Sequence, residues 1–174
     1  RCKYQGKTYS RCIYIWVDKD YAAIRGQFQG YPKKLGSIHL TRPTTVGKAG
    51  PRLQPGGIFG ATLAAYDHRL IQAQFTIEEE SDHAGFVNAL PMVHNRWMPA
   101  IECNGKDSLN EVVTMSGYDA EIGLTFKGSF EIDFFSSPVE EFQLLVPEEL
   151  IKGYYRQVGV SWKGGTTLAR SNLA

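Results

Sequence analysis

The sequence has few cysteines. Its 174 residues include only Cys2, Cys12 and Cys103, and no two of them form a Cys-x-x-Cys pair. A chain of this length buries roughly 70% of the surface that it exposes when unfolded, which is enough to fold without disulfides or a structural metal. We therefore expect reduced thiols and a cytoplasmic protein.

Excess charge and long apolar runs are also missing. The 19 Lys and Arg residues nearly balance the 18 Asp and Glu residues, giving a net charge of +1. Nonspecific nucleic-acid binding requires a basic surplus that displaces counterions. No apolar stretch approaches the roughly 20 residues that cross a bilayer. We expect neither nucleic acid nor a membrane as a partner.

Motifs for nucleotide cofactors and metals are absent as well. The sequence contains no Gly-x-Gly-x-x-Gly after a strand pattern, no phosphate-binding loop and no Gly-x-Ser-x-Gly nucleophile elbow. Its histidines, His39, His68, His83 and His94, form no His-x-x-x-His or Cys/His set. We predict no cofactor and no metal, and we interpret the histidines as ordinary surface or core residues.

What the sequence does contain is a series of strand patterns. Between Glu121 and Phe135, apolar residues occupy every second position, which is typical of a strand with one buried face. Gly128 interrupts this alternation and predicts a bulge. Ile71–Ile77 alternates similarly, whereas Cys12–Val17 is apolar throughout and predicts a strand buried on both faces. Shorter strands are predicted at Ser37–Leu40, Ile58–Tyr66, Met92–Ile101 and Val158–Trp162.

Two segments carry helix signals. Pro147–Gln157 begins with a proline suited to the first helical position, and Glu148 and Glu149 suit the positive end of a helix dipole. A second helix is predicted near Ser108. Together the patterns predict a mainly β fold of the α+β class, a curled antiparallel sheet with one or two helices. We expect a single domain over residues 1–169 and a flexible tail over residues 170–174.

The segment Gly30–Gly36 reads GYPKKLG and places two adjacent lysines, Lys33 and Lys34, after Tyr31 and Pro32. On its own, the pattern favours an edge strand whose lysines prevent association between sheets. The alternative is a lysine that forms an imine with a carbonyl substrate. Because an unperturbed lysine has a pKa near 10.4, such a residue must have a much lower pKa to be a free amine at pH 7.

GYPKKLG resembles the active-site segment of the acetoacetate decarboxylases, the established example of a lysine activated by a neighbouring cation. The resemblance continues upstream through Tyr14–Val17 and Arg25-Gly26-Gln27. It continues downstream through Leu90-Pro91-Met92 to Val146-Pro147, and so covers nearly the whole chain. It favours the enzymatic interpretation of the lysine pair and implies a cone-shaped β-barrel, no cofactor and a homo-oligomer.

By this resemblance, Lys33 is the imine-forming residue, Lys34 is its electrostatic neighbour and Tyr31 lines the pocket. The residues expected to contact substrate beside Tyr31 are Ile15, Gln27 and Arg25. The implied enzyme is a carboxy-lyase that decarboxylates acetoacetate or a related β-keto acid, because a protonated imine accepts the electron pair that departing carbon dioxide leaves behind. The alternatives are imine-based aldol condensation or dehydration of a keto acid, and a noncatalytic barrel that binds a small carbonyl compound.

Two features depart from the family. Gln27 stands where the family's usual Gly-Arg-Glu places an acid. The chain also begins at Arg1, whereas family members carry roughly eighty further N-terminal residues, among them an arginine and glutamates thought to handle the substrate carboxylate and proton transfer. We therefore expect a fragment that lacks part of the active site.

The two lysines are predicted to contribute unequally. Successive residues of a strand point to opposite faces, so the two ammonium groups could lie about 10 Å apart. At that distance, repulsion amounts to roughly 1.7 kcal/mol at an effective dielectric constant near 20. Burial can lower a lysine pKa by as much as 3–5 units. We predict that burial lowers the pKa of Lys33 more than Lys34 does.

Overall fold

The computed structural model describes residues 1–83 and 89–171, and this part of the chain is mainly β with one α-helix, α1, and one short 3-10 helix. The predicted fold class is confirmed. The strands, in chain order, are β1 (Cys2–Tyr4), β2 (Lys7–Tyr9), β3 (Ile15–Val17), β4 (Lys33–Leu35), β5 (Ser37–Leu40), β6 (Ile58–Ala65), β7 (His68–Glu80), β8 (Met92–Pro99), β9 (Asp107–Met115), β10 (Gly117–Phe134), β11 (Gly153–Trp162) and β12 (Thr166–Arg170). Helix α1 spans Asp20–Phe28, and the 3-10 helix spans Phe142–Leu145.

The chain forms two compact units. The first comprises the described residues within Arg1–Leu35, Phe86–Ala120 and Gly159–Ala174, and the second those within Gly36–Gly85 and Glu121–Val158. The single domain over residues 1–169 stays a prediction.

The C-terminal tail differs from its prediction at its first residue. Arg170 is the last residue of β12, and its guanidinium donates a hydrogen bond of 2.7 Å to buried Glu111. The amide of Ser171 donates to the carbonyl of Asn110. Residues 172–174 lie outside the described residues.

The first unit contains the antiparallel sheet β12-β9-β8, the hairpin β1-β2 and the parallel pair β3-β4. Helix α1 connects β3 to β4, because two parallel strands need a crossover connection. This helix was not predicted from the sequence. Its only buried residues are the small Ala23 and Gly26, whereas Tyr21, Ile24 and Phe28 are exposed, so no large apolar stripe at helical spacing marks it.

The second unit is built on antiparallel strands in the order β11-β10-β7-β6-β5. Its core is a cluster of Phe59, Phe75, Ile77 and Phe126. The predicted bulge is confirmed, because the pairing of β10 with β7 shifts register between Lys127 and Gly128.

The two predicted helices are wrong. In place of the helix at Pro147–Gln157, the structure has irregular chain followed by β11, whose first residue, Gly153, packs closely on the rings of Phe75 and Phe130. Proline and glutamate marked a helix start, but no apolar stripe of helical period followed them. The segment near Ser108 is β9, a strand in which alternate residues are buried: Glu111, Val113 and Met115.

The strand predicted at Cys12–Val17 is also partly wrong. Only Ile15–Val17 is a strand, and these residues are half-buried, while Ile13 is 67% exposed. The reason is that β3 pairs with β4 alone, in a two-stranded sheet. The other predicted strands are confirmed as β5, β6, β7, β8, β10 and the end of β11.

Candidate active site

The turn between α1 and β4 positions Tyr31. Gly30 has a φ of +82°, and a Cβ atom there would lie 3.0 Å from the carbonyl oxygen of Asn95. Only glycine combines that backbone conformation with such a close approach at low cost. The chain therefore leaves the helix against β8, and Tyr31 becomes buried with Val113 and Met115.

Lys33, the first residue of β4, points back toward helix α1. Its Nζ donates a hydrogen bond of 2.9 Å to the carbonyl oxygen of Ala22 and lies 5.7 Å from the centre of the Tyr31 ring. The side chain is half-buried. The amine is thus held between a helix carbonyl and an aromatic face.

Gly26 makes room for the aliphatic part of Lys33. A Cβ atom at Gly26 would lie 2.5 Å from Cε and 2.7 Å from Cγ of Lys33, both well inside van der Waals contact. Any larger residue at this helix position would therefore displace the lysine or the helix. The buried glycine costs helix stability, but it lets the lysine stem pack directly on the helix backbone.

The surroundings lower the pKa of Lys33 from its ordinary value. Burial, which disfavours the charged ammonium, is the largest cause, and the positive charge of Arg25 is the second. Cys12 acts in the opposite direction. Burial is thus the largest cause of the lowered pKa and Arg25 in α1 is the second, whereas the role of Lys34 as an electrostatic neighbour stays a prediction.

Lys34 lies on the other side of β4. Lys34 is exposed, and its Nζ lies 5.6 Å from the centre of the Trp16 ring and 6.0 Å from the centre of the Tyr14 ring. Those two rings stack on each other with centroids 5.7 Å apart. Lys34 therefore makes cation–π contacts on the side of β4 away from Lys33.

The other predicted site residues lie around the same turn. Ile15 pairs with Lys33 across the parallel strands β3 and β4. Arg25 donates a long hydrogen bond of 3.4 Å to the carbonyl oxygen of Trp162. Gln27 is exposed and lines a cavity beside Tyr31. The structure thus brings Ile15, Arg25 and Tyr31 to Lys33 and places Gln27 at a neighbouring cavity.

Sequence reasoning missed His94, which the structure places beside the predicted site. His94 is 2% exposed, and its ring centroid lies 4.3 Å from that of Tyr31. Burial, assisted by the positive charge of Arg11, lowers the pKa of His94 to about 4, so the imidazole is neutral at pH 7. Spacing along β8 gives no signal for it, because Val93 and His94 are consecutive and both buried.

Tyr31 is also held in its neutral form. Its hydroxyl donates to the sulfur of Met92 at 3.4 Å, and burial raises the pKa of Tyr31 to about 12.

Within residues 1–83 and 89–171, no group of three or more His, Cys, Asp or Glu residues is arranged to hold a metal ion. No helix in the same residues is long and apolar enough to cross a membrane.

Comparison with known proteins identifies the family of this chain. The family profile described as acetoacetate decarboxylase matches residues 1–171. The enduracididine biosynthesis enzyme MppR, solved in complex with pyruvate, is 33% identical with a TM-score of 0.86, covering 97% of this chain and 63% of that chain. MppR has also been solved with the condensation product of pyruvate and imidazole 4-carboxaldehyde.

Two further solved structures share the fold. An acetoacetate decarboxylase-like enzyme from Sphingomonas wittichii RW1 is 27% identical with a TM-score of 0.83, covering 92% of this chain and 63% of that chain. Acetoacetate decarboxylase from Legionella pneumophila subsp. pneumophila str. Philadelphia 1 is 16% identical with a TM-score of 0.76, a likeness in fold alone that covers 97% of this chain and 63% of that chain.

This chain therefore spans less than two thirds of each of these relatives. A search of curated protein sequences gave no match. The match of the family profile to residues 1–171 shows that this chain belongs to the acetoacetate decarboxylase family.

Proposed function

We propose that Lys33 forms an imine with the carbonyl group of a keto acid. The observation that carries this proposal is the packing of its amine, half-buried against α1 with a lowered pKa. A lower pKa leaves more free amine at neutral pH, and the free amine is the nucleophile. The hydrogen bond to Ala22 orients the amine but leaves its lone pair available for attack.

The imine step balances without a cofactor. Nζ of Lys33 adds to the ketone carbon, one amine proton and one proton from solvent pass to the former carbonyl oxygen, and water departs, so that the imine forms with its remaining N–H and a positive charge. The protonated imine is then an electron sink for the adjacent carbon. The positive charge of Arg25 contributes to the lowered pKa of Lys33. The same charge would attract the carboxylate of a keto acid to the neighbourhood of the Lys33 amine. Ile15, Tyr31 and Gln27 stay predicted substrate contacts.

Of the possible outcomes, we favour condensation of a 2-keto acid with an aldehyde. The support is the 33% identity to MppR and the complexes of MppR with pyruvate and with the product of pyruvate and imidazole 4-carboxaldehyde. In this reaction the imine loses a proton from its methyl carbon to become an enamine. That carbon then bonds to the aldehyde carbon, a second water departs, and hydrolysis returns the free lysine.

Decarboxylation of acetoacetate or a related β-keto acid is the second candidate. Its support is the family profile, which matches residues 1–171. Here the imine forms at the carbon next to the one that bears the carboxylate. Carbon dioxide leaves, its bonding electrons enter the imine, and the enamine is protonated and hydrolysed to a ketone. Both candidates require the same first step on Lys33.

Borohydride trapping tests the shared step. The chain is incubated separately with pyruvate and with acetoacetate, reduced with sodium borohydride and analysed by peptide mass spectrometry. We expect an adduct on the peptide that carries Lys33, and none when the keto acid is omitted. A bound keto acid without any adduct would support the noncatalytic alternative and contradict the proposal. Product analysis then separates an unsaturated adduct from acetone and carbon dioxide.

We also propose that the protein is a cytoplasmic homo-oligomer. Its three cysteines are free thiols, which suits a reducing compartment. Strand β5 forms one edge of its sheet, and an exposed edge favours burial against another copy. Sedimentation velocity at micromolar concentration should show a species larger than the 19.4 kDa chain, and a monomer alone would contradict this expectation.

A further inference from the structure

Glu111, in β9, is a carboxylate buried within the first unit, with 1% of its surface exposed. Its Oε2 accepts a hydrogen bond of 2.9 Å from Nη1 of Arg96 in β8, and its Oε1 accepts one of 2.7 Å from Nε of Arg170 in β12. Nη2 of Arg170 forms an ion pair with the same Oε1. Each strand that flanks β9 thus supplies an arginine to one buried carboxylate.

The two arginines keep this carboxylate ionised. A buried carboxylate stays charged only when cations and hydrogen bonds replace the water that it has lost. The hydrogen bond from Arg170 is the largest cause that lowers the pKa of Glu111, and Arg96 lowers it as well. Of the two cations, Arg170 is mostly exposed, while Arg96 is half-buried.

Arg96 connects this carboxylate to helix α1. Its Nε donates a hydrogen bond of 2.6 Å to the carbonyl oxygen of Phe28, the last residue of the helix. The final carbonyls of a helix have no partner within it and carry partial negative charge, so a guanidinium suits them. The carbonyls of Gly26 and Gln27 accept backbone amides of the following turn, whereas that of Phe28 accepts from Arg96.

The guanidinium of Arg96 is one rigid, planar group. When Nη1 is bound to the carboxylate of Glu111, the direction in which Nε donates to Phe28 is fixed as well. Helix α1 buries little side-chain surface of its own, since its buried residues are the small Ala23 and Gly26. The end of the helix is therefore held from β9 through β8.

Helix α1 in turn determines where the Lys33 amine lies. The carbonyl oxygen of Ala22 accepts a hydrogen bond from the amine, and the backbone at Gly26 packs on the lysine stem. The charge of Arg25 contributes to the lowered pKa. A shift of the helix would therefore change all three interactions at once.

We propose that Glu111 and Arg96 are positioning residues for the Lys33 amine. Glu111 orients Arg96, Arg96 holds the last turn of α1, and α1 holds the amine. This inference rests on the proposed imine chemistry of Lys33, but the state of the amine can also be measured without a keto acid. The contacts predict that loss of Arg96 releases the helix, whereas loss of Arg170 leaves the helix attached.

Arg96→Met and Arg170→Met form a matched pair, because each removes one arginine from the same carboxylate. Arg96→Met should lower the rate of borohydride trapping at saturating pyruvate by ~10–100-fold, since a displacement of about 1 Å can cost ~100-fold. Arg170→Met should retain most of the rate. Urea unfolding compares the stability of the two variants, and the rates are measured at a temperature at which both are folded.

Competitive labelling with acetic anhydride measures the amine without a keto acid. Peptide mass spectrometry then gives the pH at which Lys33 becomes reactive. In Arg96→Met this midpoint should move upward toward the ordinary 10.5, because release of the helix weakens both the burial of the amine and the influence of Arg25. In Arg170→Met it should stay in place. A role in stability alone would not move this midpoint.

Arg96→Lys is a second test that still applies if methionine prevents folding. It keeps a positive charge beside Glu111 but has no Nε–H to donate to Phe28, so the midpoint should move in the same direction. Arg170→Lys should not move it. Equal effects of the Arg96 and Arg170 variants, or an unchanged midpoint in both Arg96 variants, would overturn the inference. A midpoint that moves as expected in a protein that traps no keto acid would refute the imine chemistry and support the positioning.

Discussion

Lys33 and Lys34 are adjacent in the sequence and lie on opposite sides of one short strand. On the first side, a helix carbonyl, the Tyr31 ring and the backbone at Gly26 surround an amine whose pKa is lowered. On the second side, the lysine is exposed above two stacked aromatic rings. The same side-chain chemistry thus has two environments, and the alternation of a β-strand separates them.

The comparison shows where the charge that lowers the Lys33 pKa comes from. The adjacent lysine points away, whereas Arg25, eight positions earlier, lies in the helix that crosses from β3 to β4 and acts on the Lys33 amine. In the folded protein, the cation that lowers the pKa of Lys33 is therefore Arg25, which is distant in sequence but close in space. Four experiments test this contrast between the two sides of β4.

The direct test exchanges each lysine for methionine. Lys33→Met should reduce borohydride trapping of a keto acid by at least ~1,000-fold, because it removes the nucleophile. Lys34→Met should retain trapping within ~3-fold, since a cation–π contact at an exposed site is worth only about 0.5–1 kcal/mol. Equal losses in the two variants would show that the two sides of β4 are not distinct.

Gly26→Ala tests the packing of the lysine stem. The added methyl group would overlap Cε and Cγ of Lys33 and should shift the amine by about 1 Å. Such a displacement can reduce a positioned reaction by ~100-fold. The rate of trapping reports it, with circular dichroism as a check on folding. The control is Gly164→Ala, because a Cβ atom at Gly164 meets nothing within 4 Å. An unchanged rate in Gly26→Ala would refute the packing argument.

The buried His94 packs on the Tyr31 ring, which in turn contacts Lys33. The low pKa of His94 should make the folded protein less stable in acid. Its pKa is about 4 in the folded protein and 6.5 ordinarily, so the unfolded chain binds the proton more strongly between those values. The free energy of unfolding should therefore fall by about 2 kcal/mol between pH 7 and pH 5 because of this group.

Urea unfolding at pH 7 and pH 5 measures this change. His94→Gln should lose this part of the pH dependence, because glutamine does not titrate. The matched variant His39→Gln, at an exposed position, should keep it. A pH dependence that survives His94→Gln would assign the acid sensitivity to another group.

The smallest effect concerns the charge on α1. The rate of trapping should rise with pH as Lys33 loses its proton, with a midpoint below the ordinary 10.5. Arg25→Gln removes a positive charge that disfavours the ammonium, so the midpoint should move upward. Lys34→Gln should leave it in place. A midpoint that moves with Lys34 and not with Arg25 would reverse the account of this pKa.

Strand alternation was informative where strands bury one face in a larger sheet. The bulge at Gly128 and the bounds of β5 followed from it directly. Helices were predicted badly, because Pro147 and Glu148 are local markers whose effect the packing of Gly153 on Phe75 overrides. Helix α1 buries only small residues and so has no apolar stripe to detect.

The part of the candidate site that lies within one sequence motif was predictable, because that motif resembles the active-site segment of a known family. Lys33 and Tyr31 lie within GYPKKLG, whereas His94 comes from β8 and Arg11 from the chain before β3. Their roles depend on how the sheet pairs and on which side of the Tyr31 ring they lie. Only three-dimensional contacts provide that information.

The hydrogen bond from Lys33 to Ala22 bears on stereochemistry. A protonated imine retains one N–H, and that hydrogen lies in the plane of the C=N bond. If it keeps pointing at the helix carbonyl, rotation of the adduct is restricted and one of its two faces is turned toward the protein. Hydride from borohydride would then add to the imine carbon of a pyruvate adduct from the open face alone, giving a reduced adduct of single handedness.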